Sequence, residues 1–247
     1  MRRFLVVLVV AALVVVSFAG IIDEIKKRGY IIMGTEATFP PFEFVDKQSK
    51  QVVGFDVDIA KMIAKKLGVQ LVIKDIAFDG LIPALMTNKI DMIVAAMTIT
   101  PEREKMVSFS IPYFTAGQVI VVRKADSFRP KKYEDLKGHR VGVQQGTTAD
   151  IDLSKIKGIE IVRYTRFTDA FLDLAIGRTD AVVLDAAPAQ AYVKFNPKLM
   201  ISSPVLSEEK YGIAVRKEDK ELLDFINKTL KEMNSKTCYD FLVSLWF

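Results

Sequence analysis

Arg103 sits where a cation is out of place. In Thr98-Ile99-Thr100-Pro101-Glu102-Arg103, Thr100 is a good N-cap and Pro101 a good first helical residue, so Arg103 falls in the first turn of a helix. That end carries partial positive charge, and a cation there is worse than an acid by about 0.3–1 kcal/mol. An anion would reverse the sign, and a forked guanidinium, free N–H groups and the Thr98 hydroxyl suit a carboxylate. A second anion-friendly helix start is read in Val141–Asp150, "VGVQQGTTAD", where Gly146 allows close backbone approach and Thr147 and Thr148 add donors. Asp185, closing the otherwise apolar "DAVVLD", suits an ammonium. Carboxylate and ammonium together describe a small zwitterion. Taken singly, Thr-Pro-x-Arg can be a helix cap, Gly-Thr-Thr a turn, and Asp185 the cap of whatever follows it.

The stretch Gly34–Phe44, "GTEATFPPFEF", adds Glu36 and apolar walls. Pro40 and Pro41 impose an extended path that frees Phe39 to project from a sheet, although a core position is equally open to it. Phe78, before Asp79-Gly80, is open to the same two readings. The chain has one cysteine and one histidine, which excludes a zinc site built on several such ligands. Cys238 reads as a small residue near the last helix and His139 as a surface residue before a strand. No metal or cofactor is expected. Lys and Arg alternate with Asp and Glu, as in Lys217-Glu218-Asp219-Lys220-Glu221, so a nucleic-acid stripe is disfavoured.

The elements that must hold these residues alternate between short apolar strands and amphipathic helices. Strands are expected at 30–35, 71–76 and 91–96, with helices at 56–67 and 81–87. A second set has strands at 119–123, 141–144, 159–164 and 181–184, with helices near 148–153 and 169–176. Strands separated by helices imply parallel sheets covered by helices. The two sets echo each other at an offset of 89 residues: Phe78 falls on Phe167, Leu85 on Leu174, Asp91 on Asp180 and Ala96 on Asp185. Two related α/β lobes would place both strand ends at a shared cleft, where open α/β sheets collect ligands. A run at 211–215 and a helix at 222–233 follow, read as a tail that returns to complete the first lobe.

The N-terminus has Arg2 and Arg3, an unbroken apolar run from Phe4 to Val16, and Ser17-Phe18-Ala19. This is the pattern of a secretory signal peptide over 1–19, with a membrane anchor as the alternative. Removing it lowers the formal net charge from +5 by the two arginines, to +3.

"GTEATFPPFEF", "VGFDVDIAKMIAKKLG", "FDGLIPALMTNKIDMIVAAMTITPERE", "VGVQQGTT", "DAVVLD" and "YGIAVRKEDKELL" together resemble the polar amino-acid-binding proteins of ABC importers, bacterial solute-binding family 3, and most of all its arginine-binding members. The resemblance runs from about Asp23 to Phe247. It implies a two-lobed α/β flytrap with a two-strand hinge near 114–118 and 204–207. Lobe one would comprise 20–114 and 207–247, and lobe two 115–206. It further implies a periplasmic location and delivery of the ligand to ABC permease subunits. Carried over by position, it puts the ligand carboxylate on Arg103, Thr98 and Thr148, and the ammonium on Asp185, Thr98 and the Ala96 carbonyl. The side chain would lie between Phe39 and Phe78, with Glu36 at its far end; a guanidinium suits such a slot. Gln144 stands where some glutamine-specific relatives carry lysine, which favours a cationic ligand. Ala95-Ala96 departs from the family's frequent Ser-Gly. The competing expectations are a receptor for glutamine or another polar amino acid, and a lyase resembling cyclohexadienyl dehydratase with Asp185 or Glu36 as general acid.

Overall fold

The computed structural model describes residues 20–234 and 238–247. The expected signal peptide lies outside the described residues. Two five-stranded sheets share one topology. In the first, Tyr30–Thr35 is flanked by Gln70–Asp75 and Met92–Ile93, both parallel to it, followed by the antiparallel Ala214–Val215 and then Ser108–Phe109. In the second, Arg140–Gln144 is flanked by the parallel Glu160–Tyr164 and Ala181–Asp185, followed by the antiparallel Gln118–Arg123 and then Leu199–Ile201. The equal strand order is the structural counterpart of the 89-residue echo. It also corrects the expectation of purely parallel sheets, because each sheet acquires an antiparallel strand through a chain crossing.

Local chemistry explains most boundaries. The helix Phe55–Leu67 buries Ile59, Ala60, Ile63, Ala64 and Leu67, and Gly68, left-handed at φ 74°, stops it. The strand expected through Ala96 ends at Ile93, because the chain beyond it turns toward the cleft and reaches Ala96 at φ 43°. The run at 211–215 is two strands, Glu209–Tyr211 and Ala214–Val215, in different sheets. The tail does return to the first sheet: Ala214 pairs with Ile93 and Phe109, and the helix Lys220–Asn234 packs on the helices Ile21–Arg28 and Phe55–Leu67. It buries Leu222, Ile226, Leu230 and Met233, each worth about 1.5–3 kcal/mol when removed from water.

The chain passes between the two sheets through an antiparallel pair, Phe114–Ala116 with Glu209–Tyr211. The second crossing strand starts after the 204–207 segment rather than within it. That segment lies alongside instead, with Leu206 N–H donating to the Gln118 carbonyl at 2.8 Å and the Ser207 hydroxyl accepting from Gln118 N–H at 3.1 Å.

Gly54, between the strand Val52–Val53 and the helix it precedes, has φ 140° and ψ 176°, a region open essentially to glycine alone. A Cβ there would sit 2.0 Å from the Phe42 carbonyl oxygen. Gly54→Ala is therefore expected to destabilise the protein by about 2 kcal/mol or more, read as a fall in the urea midpoint with an unchanged slope.

Candidate functional site

The carboxyl ends of parallel strands in both sheets face a cleft whose empty space, open solvent at the mouth included, is about 420 Å³. Glu36, Phe39, Phe78, Ala96, Thr98 and Arg103 line it from the first-sheet side, and Gln144, Thr148 and Asp185 from the second. All nine sequence-derived candidates are thus gathered in one place. Each lies at the end of a strand, in the segment that follows one, or in the first turn of a helix.

Arg103 is buried, with only 6% of its surface exposed. Thr100 caps the helix Pro101–Glu104, its hydroxyl accepting from Arg103 N–H at 3.3 Å. A helix of one turn has little macrodipole, so the positional penalty is small and burial is the larger cost. Desolvation lowers the guanidinium pKa to about 10, against the opposing pull of Glu209 and Asp185, so it stays charged at neutral pH. Its Nη1 donates to the Thr98 carbonyl at 2.6 Å and its Nη2 to the Gly146 carbonyl at 3.1 Å, across the cleft. The Phe78 ring lies 5.2 Å from the guanidinium carbon. Gly146 is left-handed at φ 78°, and a Cβ on it would lie 3.2 Å from Asp79 Cβ. Its lack of a side chain therefore admits Asp79 of the facing lobe.

Asp185 occupies the N-cap position of the helix Ala186–Phe195 without making a cap hydrogen bond. Its Oδ2 instead accepts a hydrogen bond from the Tyr211 hydroxyl on the crossing strand. Burial pushes its pKa up to about 7, reinforced by Glu209 and opposed by Tyr211 and Arg103. Thr148 opens the helix Thr148–Ser154, capped by Thr147. Its hydroxyl accepts from Gln118 Nε2 at 2.8 Å and donates to Glu209 Oε2 at 3.1 Å. A ligand carboxylate would have to share Thr148 with Glu209.

Glu36 is held by a separate set of partners. Its Oε2 accepts from the Thr38 hydroxyl at 2.8 Å and Gln144 Nε2 at 2.9 Å, and its Oε1 pairs with Arg166 at 2.7 Å. Burial raises its pKa despite these contacts. Phe39 packs on Phe42 and Phe167, with ring centroids 6.0 and 5.4 Å away, so it serves both core and cleft. Phe78 stays under Arg103, leaving the two rings as separate walls.

Ala96 explains the glycine that the resemblance leads one to expect there. Its left-handed φ of 43° costs an alanine about 1–2 kcal/mol. Its N–H donates to buried Asp56 Oδ2 at 2.7 Å, which also accepts from the Tyr113 hydroxyl at 2.7 Å. Desolvation raises Asp56 to about 6. Glu43, also lining the cleft, is buried with one carboxyl oxygen unpartnered, and burial pushes its pKa well up.

Sequence reasoning missed Glu43, Gln118, Thr147 and Phe167 as walls, and Glu209 as the partner of Thr148 and Gln118 behind them. Phe167 was visible as the echo of Phe78. Gln118 and Glu209 carry no local motif: Gln118 opens the strand that follows the first crossing and Glu209 opens the second crossing strand.

Residues 31–247 match the family model of bacterial extracellular solute-binding proteins, family 3, and the chain belongs to that family. It is 34% identical over 245 residues to L-cystine-binding protein TcyJ of Escherichia coli (strain K12), covering 98% of this chain and 92% of that one. It is 36% identical over 223 residues to ABC transporter arginine-binding protein 1 of the same organism, covering 88% and 90%. Among solved structures, a mutant of ArgBP from T. maritima superposes with a TM-score of 0.90 at 62% identity, covering 92% of this chain and 98% of that one. The arginine-bound form of a truncated ArgBP gives 0.84 at 64% identity, covering 85% and 99%.

The raised pKa of Asp185 has a definite sign. Between pH 4 and 7 the folded protein keeps a proton that the unfolded chain has released, so stability falls as pH rises through that window. Asp56 contributes with the same sign over a narrower window, up to about pH 6. Asp185→Asn should therefore narrow the gap in denaturation midpoint between pH 5 and pH 8 for the ligand-free protein. An unchanged gap would show that Asp185 is ionised throughout.

Proposed function

We propose that this chain is a periplasmic receptor that closes on a basic amino acid, arginine first, and hands it to ABC permease subunits. The observation that carries the reading is the charge arrangement of the cleft. A buried guanidinium, Arg103, and a buried carboxyl, Asp185, come from different sheets and lie close enough to feel each other's charge, while Glu36 sits in a separate polar group. The first two complement the carboxylate and ammonium shared by all amino acids. Thr98 and the Ala96 carbonyl would add to that head group, and Glu36 would meet the cationic end between Phe39 and Phe78. The similarity to arginine-binding relatives supports the same ligand.

Lobe one would comprise 20–114 and 207–247 and lobe two 115–206, hinged on the crossing pair. Removal of 1–19 would release the mature chain to the periplasm. Binding rather than turnover is favoured because Asp185 is engaged by Tyr211 and faces a guanidinium, an arrangement suited to holding an ammonium. Turnover of prephenate or arogenate would overturn that preference.

A ligand at a hundred times its Kd adds about 2.7 kcal/mol, which for a protein of this size is about 5–10 °C in Tm. L-arginine should produce such a shift, with lysine, ornithine, histidine and glutamine shifting it less. If none of the five moves Tm, the reading is wrong. Arg103→Ala should weaken arginine binding by about a hundredfold or more, about 2.7 kcal/mol, in calorimetry. Binding that survives intact would remove Arg103 from the carboxylate site.

A further inference from the structure

Arg166 belongs to none of the motifs that define the cleft. It precedes the helix Phe167–Ala175 on the second-sheet side, yet its Nη1 lies 2.7 Å from Glu36 Oε1 and 2.9 Å from Asp75 Oδ1, both on the first-sheet side. Glu36 follows the strand Tyr30–Thr35 and Asp75 ends the edge strand paired with it, so adjacent strand ends present two carboxylates to one guanidinium. The Arg166 side chain is 30% exposed and that of Asp75 34%, while Glu36 is 2% exposed and lines the cleft. Arg166 therefore approaches Glu36 from outside and leaves its inner face as cleft wall. The nearest other cation along the strand, Lys74, is turned to the Lys89 carbonyl at 2.8 Å. Thr38 and Gln144, which complete the shell of Glu36, are neutral.

Two carboxylates and one guanidinium leave a formal charge of −1. We infer that Arg166 is a specificity-determining residue that, with Asp75, trims the charge behind Glu36 to the value balanced by one positive charge on the ligand side chain. The inference rests on the reading that the cleft takes a basic amino acid. Removing Arg166 would raise the surplus to −2 and removing Asp75 would cancel it, so the two changes should push selectivity in opposite directions. A merely structural role would instead weaken all ligands alike.

The test is calorimetry on the mature protein with L-arginine and with L-citrulline, its neutral isostere. Arg166→Gln should raise the arginine-to-citrulline affinity ratio about tenfold, and Asp75→Asn should lower it about tenfold. Arg166→Lys, which keeps the charge, should hold the ratio within about threefold of native. Ratios within about twofold of native in both neutralising variants, or shifts in the same direction, would overturn the inference and leave the receptor reading intact. If Arg166→Gln does not fold, a ratio unmoved in Asp75→Asn overturns it alone. A native protein that binds neither ligand would sink the receptor reading and this inference with it.

Discussion

The cleft is organised by a guanidinium taken out of water. An arginine as buried as Arg103 must be surrounded by acceptors, since an unpaired buried charge costs several kcal/mol. The structure supplies two carbonyls, Thr98 from its own lobe and Gly146 from the other, and the fields of Asp185 and Glu209. Many local features follow from that demand. Thr98 leaves the first sheet and bridges to Tyr211, which in turn donates to Asp185. Gly146 adopts a left-handed turn that aims its carbonyl at Arg103 while admitting Asp79 at its back.

How much of this could be read from the sequence depended on whether a residue's role is local. Thr100, Pro101 and Arg103 declare a helix start within six residues, and the structure has that start. Gly68 announces the end of its helix, and the alternation of strand and helix announces two α/β lobes. The antiparallel strands were not legible as such, because Gln118–Arg123 and Ala214–Val215 look like any apolar run and owe their direction to chain crossings. Glu209 and Gln118 were illegible for the same reason. They hydrogen-bond each other across 91 residues of sequence, and nothing beside either of them requires it. The premature end of the strand at Ile93 belongs to a third kind: the apolar run continues to Ala96, but Asp56, forty residues earlier, draws the Ala96 N–H away.

The two lobes share a strand order yet contribute opposite chemistry. At the echoed positions, lobe one offers Ala96, whose polar groups are those of the backbone alone, and lobe two offers Asp185, a carboxyl held by Tyr211. Arg103 lies just past the first of these positions. Its strand end therefore supplies cation and carbonyl, while the equivalent end in lobe two supplies the acid. A duplicated frame with unlike ends is suited to a ligand whose own ends carry opposite charge, and symmetric ends would favour a symmetric ligand.

What crosses the cleft is mostly polar. Arg103 reaches Gly146, Gln144 and Arg166 reach Glu36, and the Tyr192 hydroxyl reaches the Thr38 carbonyl at 2.8 Å. The packing of Phe39 on Phe167 is the main apolar exception at the cleft wall. Hydrogen bonds exchanged with water contribute only about 0.5–1.5 kcal/mol each, whereas apolar area sealed between the lobes would hold them shut at about 25 cal/mol per Å². A polar seam therefore favours a closed arrangement over an open one by less than an apolar seam of the same area would. Charge-assisted contacts to a small zwitterion then weigh more in the choice between them, because a ligand shifts such an equilibrium by the difference in its affinity for the two states. The partnered state of Glu36, Thr148 and Asp185 points the same way. Each already has a protein partner on the facing lobe or the crossing strand, so a ligand that joins them adds to a seam the protein can form by itself.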